Sequence, residues 1–236
     1  MENALEVEGL TVRFGETEVF RDLSFHVAKG SSFGIIGPNG AGKTVLFKTL
    51  LGALPHTGSF RWAKDSRLGY VPQKLDIERD LPITGRELLA AKGGVSRAAR
   101  GEVERVLGSV GLGAEVAGRT IGSLSGGQFQ RLLVAFALVG KPNVLLFDEP
   151  TAGVDEPGQE GLHDTIQKIQ AEQQLTLLLI SHDISVIYRS VQQVLCLGRH
   201  RPVVGPPEEC LTPQALAELY GAPVRFHVHD HAEPRP

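Results

Sequence analysis

The feature that most constrains this chain is a glycine-rich segment between an apolar run and a helical pattern. Residues 37–44 read Gly-Pro-Asn-Gly-Ala-Gly-Lys-Thr and match the pattern G-x-x-x-x-G-K-[ST]. The apolar run 33–36 stops where this segment begins, and the spacing of apolar residues predicts a helix over 43–51. Strand, glycine loop and helix in this order predict an α/β fold with a phosphate-binding loop, in preference to a glycine-rich turn that binds nothing.

The residue types of this loop suit a triphosphate. Glycines allow consecutive backbone N–H groups to converge on an anion, and the helix that follows adds its positive N-terminal end. Lys43 supplies a point charge for the β- and γ-phosphates, and the Thr44 hydroxyl is a ligand for Mg²⁺. The predicted nucleotide-binding residues of the loop are Gly37, Pro38, Asn39, Gly40, Ala41, Gly42, Lys43 and Thr44.

Two further apolar runs indicate more strands. Residues 144–147 end in Asp148 and Glu149, and residues 175–180 end in Ser-His-Asp. Because both runs are apolar throughout, we expect strands covered on both faces, as in a parallel sheet flanked by helices. Asp148 would then hold Mg²⁺, and Glu149 could polarise an attacking water. Up to this point the pattern fits both a P-loop nucleotide hydrolase and a kinase.

The remainder of the chain divides by character. The first 30 residues read as strands with turns, whereas segments 86–91 and 98–110 look amphipathic, which predicts a helical insertion over about 74–140. A helical stretch over 213–220 precedes a polar tail.

Composition and charge exclude several classes of protein. Lys and Arg number 24 against 27 Asp and Glu, a formal charge of −3, and without a basic excess we expect no nucleic-acid partner. No stretch approaches the ~18 apolar residues of a membrane-spanning helix, and the N-terminus lacks the pattern of a signal peptide. Cys196 and Cys210 are too few for a disulfide framework, and we expect packed thiols in a reducing compartment.

A second glycine cluster helps to choose between a nucleotide hydrolase and a kinase. Residues 124–128 read Leu-Ser-Gly-Gly-Gln, shortly before the Asp148 strand, and resemble the signature motif of ATP-binding-cassette (ABC) ATPases. The Q-loop, D-loop, switch and adenine-stacking positions of that family are matched in turn by Gln73, Asp155, His182 and Phe14. The resemblance covers nearly the whole chain, and a kinase or nucleotide switch would leave residues 124–128 unexplained.

The resemblance implies a P-loop RecA-like α/β core with a parallel sheet, within one ABC ATPase domain. The core covers about 1–73 and 141–221, with N-terminal antiparallel strands, an inserted α-helical subdomain at about 74–140 and a tail at 222–236. It implies Glu149 as general base and His182 as a contact to the γ-phosphate. Its Mg²⁺ ligands are Thr44, Gln73 and Asp148, and Gln73 also reaches the attacking water.

The resemblance also implies a head-to-tail homodimer. ATP lies between the phosphate loop of one subunit and the signature motif of the other, which gives two composite sites. A Ser-Gly-Gly turn opening a helix near Gln128 would be a second anion site, whereas an ordinary N-capped helix explains the serine but not the paired glycines. The residues implied on this side are Ser125, Gly126, Gly127 and Gln128, and Asp155 of the D-loop is a further implied nucleotide-binding residue.

Two positions depart from the family pattern. Many relatives have Ala-Arg-Ala-Leu after the signature helix, where this chain has Ala-Phe-Ala-Leu over 135–138. The D-loop begins Ala-Gly at 152–153 instead of Ser-Ala, which removes a hydroxyl. Every predicted hydrolytic residue is retained, so neither change argues against ATP hydrolysis.

A cassette without a membrane span implies partner subunits. We expect an importer ATPase, peripheral on the cytoplasmic face of the membrane, bound to permease subunits and served indirectly by an extracytoplasmic binding protein. Segments 70–84, 152–155 and 205–221 resemble the zinc and manganese importer branch of the family. The alternatives are an importer subunit for another substrate and a non-transport ABC-type ATPase.

The C-terminal tail carries histidines. His227, His229 and His231 surround Asp230, a set that suits a borderline metal such as zinc. The alternative is a hydrophilic tail whose histidines bind nothing, and the sequence leaves both open.

Overall fold

A computed structural model of the chain describes residues 2–73, 81–97, 99–148, 156–198 and 202–222. The chain forms two compact units. The first unit comprises Met1–Leu5, Ala28–Gly30 and Trp62–Leu178, and the second comprises Glu6–Val27, Ser31–Arg61 and Leu179–Pro236.

Strands and helices alternate between residues 126 and 196 of the described chain, whereas the part before them contains runs of consecutive strands and of consecutive helices. The strands are β1 (Asn3–Phe14), β2 (Thr17–Ala28), β3 (Ser32–Ile36), β4 (Thr57–Trp62), β5 (Leu68–Val71), β6 (Val144–Asp148), β7 (Thr176–Ile180), β8 (Gln193–Cys196) and β9 (Val203–Gly205). The helices are α1 (Lys43–Leu50), α2 (Gly85–Val95), α3 (Glu102–Ser109), α4 (Ala114–Ala117), α5 (Gly126–Leu138), α6 (Glu156–Gln173), α7 (Ile184–Ser190), α8 (Pro207–Cys210) and α9 (Pro213–Tyr220), with a 3₁₀ turn at Ile121–Ser123.

The second unit carries two kinds of strand pairing. Strands β1 and β2 are neighbours joined by a two-residue turn at 15–16, which makes them an antiparallel hairpin, and β4 adds to the other edge of β1. Strand β3 pairs in parallel with β8, with Ile36 opposite Cys196, and β9 pairs antiparallel with β8. All five residues of β3 are buried, as its unbroken apolar run predicts.

The first unit combines a parallel strand pair with a group of helices. Strands β5 and β6 pair in parallel, with Val71 opposite Phe147, and every residue of β6 is buried. Helices α2 and α3 both pack on α5. The buried residues of these three helices include Leu89, Val106 and Leu132. The predicted parallel α/β fold is confirmed.

One predicted helix is shorter than expected. The pattern over 98–110 predicts a single helix, but α3 begins only at Glu102. Gly101 precedes it with φ 82°, a left-handed conformation that cannot continue a right-handed helix. The amphipathic pattern alone did not predict that the helix would begin only after Gly101.

The two cysteines are packed inside the second unit, as predicted. Cys196 and Cys210 are both free and buried. Burial, with a smaller effect of Cys210, raises the pKa of the Cys196 thiol to about 12, so its reactive thiolate form is scarce at neutral pH. Among the described residues, no helix is both long and apolar enough to cross a bilayer.

Candidate nucleotide site

The glycine loop follows β3 directly and leads into α1. Gly40 and Gly42 have φ of 81° and 92°, a left-handed region in which a side chain would be strained. The Ala41 N–H donates to the Pro38 carbonyl at 3.2 Å, which closes a turn inside the loop. Helix α1 starts at Lys43, and the Leu46 N–H donates to the Gly42 carbonyl at 2.8 Å. Strand, loop and helix therefore occur in the predicted order.

The loop is packed too closely for side chains at two of its glycines. A Cβ on Gly37 would lie 1.9 Å from the Leu197 carbonyl oxygen, and one on Gly42 would lie 2.5 Å from Val19 Cγ1. A Cβ on Gly40 would meet no atom within 4 Å. The pattern thus has two physical causes: packing at Gly37 and Gly42, and backbone conformation at Gly40 and Gly42.

Lys43 directs its charge back over the loop. It is only 6% exposed, and its ammonium donates hydrogen bonds to the carbonyl oxygens of Gly37 at 2.9 Å and Pro38 at 3.2 Å. Because these contacts fix the side chain, the positive charge is held in place before any ligand binds. Thr44 is the next residue, on the first turn of the same helix.

A cavity of about 810 Å³ opens beside the loop in the second unit, within the usual size range of small-molecule sites. One wall is the phosphate loop and another is β2. The lining residues are Glu18, Val19, Phe20, Arg21, Asp22, Pro38, Asn39, Gly40, Ala41, Gly198 and Pro202. The phosphate loop therefore borders a space large enough for the rest of a nucleotide.

Asp148 ends β6 in the first unit as a fully buried carboxylate. The Tyr70 hydroxyl, on the paired strand β5, donates to Asp148 Oδ2 at 3.2 Å. Burial first, and then the charge and hydrogen bond of Asp148, raise the pKa of Tyr70 above its ordinary 10.0, so the phenol remains a donor. A buried carboxylate at the carboxyl end of a parallel strand fits the predicted magnesium ligand.

The signature segment forms the start of α5, also in the first unit. Ser125 is the N-cap: its hydroxyl accepts from the Gln128 N–H at 3.2 Å, and the Gln128 side chain accepts from the Ser125 N–H at 3.1 Å. The helix begins at Gly126, two residues before the predicted start near Gln128. This reciprocal capping accounts for Ser125 and Gln128, and it leaves Gly126 and Gly127 in the first helical turn, where N–H groups point out of the helix end.

Three further predicted residues lie at ends of strands. Gln73 follows β5, His182 is exposed between β7 and α7, and Phe14 ends β1 with 48% of its surface exposed. Asp183, next to His182, caps α7 by accepting from Ser185 N–H at 2.8 Å. The functional roles of Gln73, His182 and Phe14 stay predictions.

Several predicted residues lie outside the part of the chain that the structure describes. These are Glu149, Asp155 and the tail residues His227, His229, Asp230 and His231. Among the described residues, no group of three His, Cys, Asp or Glu side chains could hold a metal ion.

The departure at Phe136 has a structural counterpart. Lys92 of α2 places its ammonium 5.3 Å from the centre of the Phe136 ring, a cation–π contact. A positive charge from α2 thus lies over the side chain that occupies the position of the relatives' arginine.

The sequence motifs did not predict which residues surround them in the fold. Val19 and Phe20 border the cavity because β2 passes the phosphate loop, and Tyr70 reaches Asp148 because β5 pairs with β6. Both follow from strand pairing between distant segments. No short motif in the sequence marks them.

Comparison with known proteins gives concordant results. The family profile described as ABC transporter matches residues 20–152. The zinc import ATP-binding protein ZnuC of Roseobacter denitrificans is 36% identical over 92% of this chain and 84% of its own length. The proteins of the same name from Cereibacter sphaeroides and Pseudomonas aeruginosa are 38% and 37% identical, over 90% and 98% of this chain and 86% and 87% of their own lengths.

Solved structures agree on the fold. An inward-facing ABC transporter of the metal-chelate type superposes with a TM-score of 0.85 at 23% identity, covering 96% of this chain and 94% of that one. An ATP-binding cassette of an ABC transporter in its ADP conformation gives 0.79 at 21% identity, covering 93% and 97%.

Proposed function

The chain belongs to the ABC transporter family. On that premise we propose that it is the ATP-hydrolysing subunit of an importer for a divalent metal ion, and that this ion is zinc in preference to manganese. The observation that carries the choice of ion is identity of 36–38% to zinc import ATP-binding proteins over nine-tenths of the chain. The phosphate loop supports the nucleotide part of the proposal, because its backbone and Lys43 form a positive cradle beside a cavity.

In this proposal the loop over 37–44 binds the triphosphate. Its N–H groups and the start of α1 contact phosphate oxygens, and Lys43 neutralises charge that develops on the β- and γ-phosphates. The pre-existing contacts of Lys43 with Gly37 and Pro38 support this role, since a fixed charge needs no reorganisation during the reaction. Phe14 stacks on the adenine.

Hydrolysis is assigned to residues at the carboxyl ends of strands. Glu149 accepts a proton from the attacking water, and the water oxygen bonds to the γ-phosphorus. The bond between the γ-phosphorus and the β–γ bridging oxygen breaks, and ADP leaves with that oxygen. His182 contacts the γ-phosphate, and Gln73 orients the water. The buried, tyrosine-bonded carboxylate of Asp148 supports its assignment as an anionic ligand.

The donor set also fits Mg²⁺. The hydroxyl of Thr44, the amide of Gln73 and the carboxylate of Asp148 all offer oxygen, which this hard cation prefers. When bound, Mg²⁺ neutralises charge on the phosphate oxygens.

A second copy of the chain completes each site in this proposal. Ser125, Gly126, Gly127 and Gln128 of one subunit approach the triphosphate held by the other, and Asp155 lies at the same interface. Support comes from α5, whose first-turn N–H groups and positive helix end favour an anion. The capping box fixes that turn, so Ser125 and Gln128 act by shaping it.

The proposed ATPase dimer binds its partner subunits at the cytoplasmic face of the membrane. Permease subunits carry the ion and receive it from an extracytoplasmic binding protein. Helices α2 to α5, within the helical subdomain proposed over about 74–140, contact the permease. ATP-driven closure of the dimer then biases the permease between two states.

Uptake of metal by intact cells tests the proposed function. A host from which the gene is deleted is expected to lose zinc uptake under chelation, and the wild-type gene to restore it. A gene that encodes Lys43→Met should not restore zinc uptake. A gene that encodes Lys48→Met should restore it, because the Lys48 side chain is exposed. Loss of manganese uptake instead would move the assignment to that ion, and unchanged uptake of both would overturn the importer proposal.

A further inference from the structure

Arg131 lies on the signature helix α5, one turn beyond the glycines of its first turn. It follows Gly127 by four residues, and residues at this spacing lie on the same side of an α-helix. The backbone hydrogen bonds of the helix join these two turns directly. The partners of Arg131 therefore determine how the first turn of α5 is held.

The guanidinium of Arg131 joins α5 to α3. Its Nη1 donates to the Val110 carbonyl at 2.9 Å, and Val110 is the C-cap of α3. The last carbonyl groups of a helix have no partner within that helix, and the negative end of the helix dipole favours a cation. Arg131 thus supplies both the donor and the charge that suit the end of α3.

The same guanidinium joins α5 to α6. Arg131 Nη1 also donates to Thr165 Oγ1 at 3.0 Å. The Thr165 hydroxyl donates its own proton to the Gly161 carbonyl at 2.7 Å, which leaves its lone pairs for the arginine. Hydrogen bonds therefore fix the direction of both side chains.

Gly161 gives the guanidinium room on α6. A Cβ at this position would lie 3.0 Å from Arg131 Nη2, which is closer than ordinary van der Waals contact. Glycine inside a helix is less stable than alanine, so its presence here needs a reason. The close approach of the arginine supplies that reason.

A second link holds the opposite end of α3 to the end of α5. Glu102, the first residue of α3, is only 5% exposed, and its Oε1 accepts from the Gly140 N–H at 2.7 Å. Gly140 lies just beyond the last residue of α5. Sliding of α3 along α5 would therefore break contacts at both ends of α3.

We propose that Arg131 is a positioning residue for the composite ATP site, which holds the first turn of α5 in the orientation that meets a second copy of the chain. The inference rests on the proposed function, in which this turn approaches ATP held by the other subunit. Helix α6 begins at Glu156, directly after the proposed interface residue Asp155, so Arg131 ties together two elements of one interface. A surface that is already ordered loses less freedom on association, so this link acts on the affinity between subunits.

The test is ATP-dependent dimerisation of the full chain in a Glu149→Gln background, measured by analytical ultracentrifugation. This background should retain ATP because the proposed general base is replaced. We expect Arg131→Met to raise the dimer Kd about 10-fold, as for loss of a hydrogen bond to a charged group. Thr165→Val removes only one hydroxyl and should raise it about 3-fold. The matched control is Arg100→Met, which removes an exposed charge from the same unit and should change Kd by less than about 2-fold.

Three further measurements separate positioning from a general loss of structure. The Kd for ADP, which in this account contacts the phosphate loop and not α5, should be unchanged in every variant by calorimetry. The double variant of Arg131 and Thr165 should be no weaker than Arg131→Met alone, because both changes break one link. With Glu149 intact, the ATPase rate of Arg131→Met should recover toward wild type as protein concentration rises, since only dimerisation is weakened.

The results that would count against the inference or its premise are distinguishable. A Glu149→Gln chain that does not dimerise with ATP would overturn the proposed composite site itself. An unchanged dimer Kd in a folded Arg131→Met variant would overturn the positioning role alone. An equal rise of Kd in Arg100→Met, or a parallel loss of ADP affinity, would also overturn it, because charge or general loosening would then suffice. Thermal unfolding of each variant checks that the fold is retained.

Discussion

Replacing Lys43 with methionine is expected to lower the ATPase rate by about 100- to 1,000-fold, the cost typical of removing one preorganised charge from a transition state. Methionine keeps an unbranched stem of similar length, so the first turn of α1 retains its packing. The lost group is the ammonium that the Gly37 and Pro38 carbonyls hold in place. The measurement is phosphate release at saturating ATP.

Lys48→Met is the matched control for this prediction. Lys48 lies in the last turn of the same helix with its side chain exposed. Its replacement changes net charge by the same amount but leaves the loop intact, so the rate should stay within about 2-fold of wild type, as for ordinary surface changes. Equal losses in the two variants would show that total charge, and not the position of Lys43, determines the rate.

Replacing Gly37 with alanine is expected to lower the free energy of unfolding by roughly 3 kcal/mol, the upper end of ordinary overpacking. The new methyl group would lie 1.9 Å from a backbone carbonyl oxygen, which cannot rotate away as a side chain does. Either β8 or the loop must shift, so ATP hydrolysis should fall together with stability. Urea unfolding followed by circular dichroism measures the first effect.

Gly15→Ala separates this clash from simple backbone strain. Gly15 has φ 60° in the turn between β1 and β2, and a Cβ there would meet no atom within 4 Å. Its replacement should cost only about 1–2 kcal/mol, the price of a left-handed conformation, and should leave the phosphate loop undisturbed. A Gly37→Ala variant as stable as Gly15→Ala would contradict the close packing at Leu197.

The sequence predicts best those features that depend on neighbouring residues. The apolar run before the phosphate loop is β3, and the helical spacing after it is α1. The buried strand β6 ends at Asp148, one residue beyond its predicted apolar run. Each of these follows from a period or a pattern within a dozen residues.

Features that depend on single backbone conformations were harder to predict. Gly101 delays the start of α3 to Glu102, four residues after the predicted start, and α5 includes Gly126 and Gly127 in its first turn. Glycine is compatible with both a loop and a helix, so its identity does not decide between them. In α5 the reciprocal bonds of Ser125 and Gln128 decide the boundary.

Features that depend on distant segments left no local pattern. The hydrogen bond between Tyr70 and Asp148 crosses 78 positions of sequence. Tyr70 looks unremarkable in the sequence. Its contact with Asp148 follows from the pairing of β5 with β6.

In the proposed dimer, one ATP is held by the phosphate loop of one copy and the signature motif of another. Mixing equal amounts of two inactive variants, Lys43→Met and Gly127→Asp, tests this shared site. Aspartate in the first turn of α5 is compatible with the helix, since a negative charge there is favourable, but it repels a triphosphate. Each variant alone is expected to be inactive, because both of its composite sites are defective.

In a mixed dimer, the intact loop of the Gly127→Asp chain faces the intact signature of the Lys43→Met chain. Random exchange makes half of the dimers mixed, and each has one intact site of two, so ATPase activity should recover to about a quarter of the wild-type rate. If both parts of the site came from one chain, no intact site would form. A rate no greater than the sum of the two separate variants would therefore contradict the shared site.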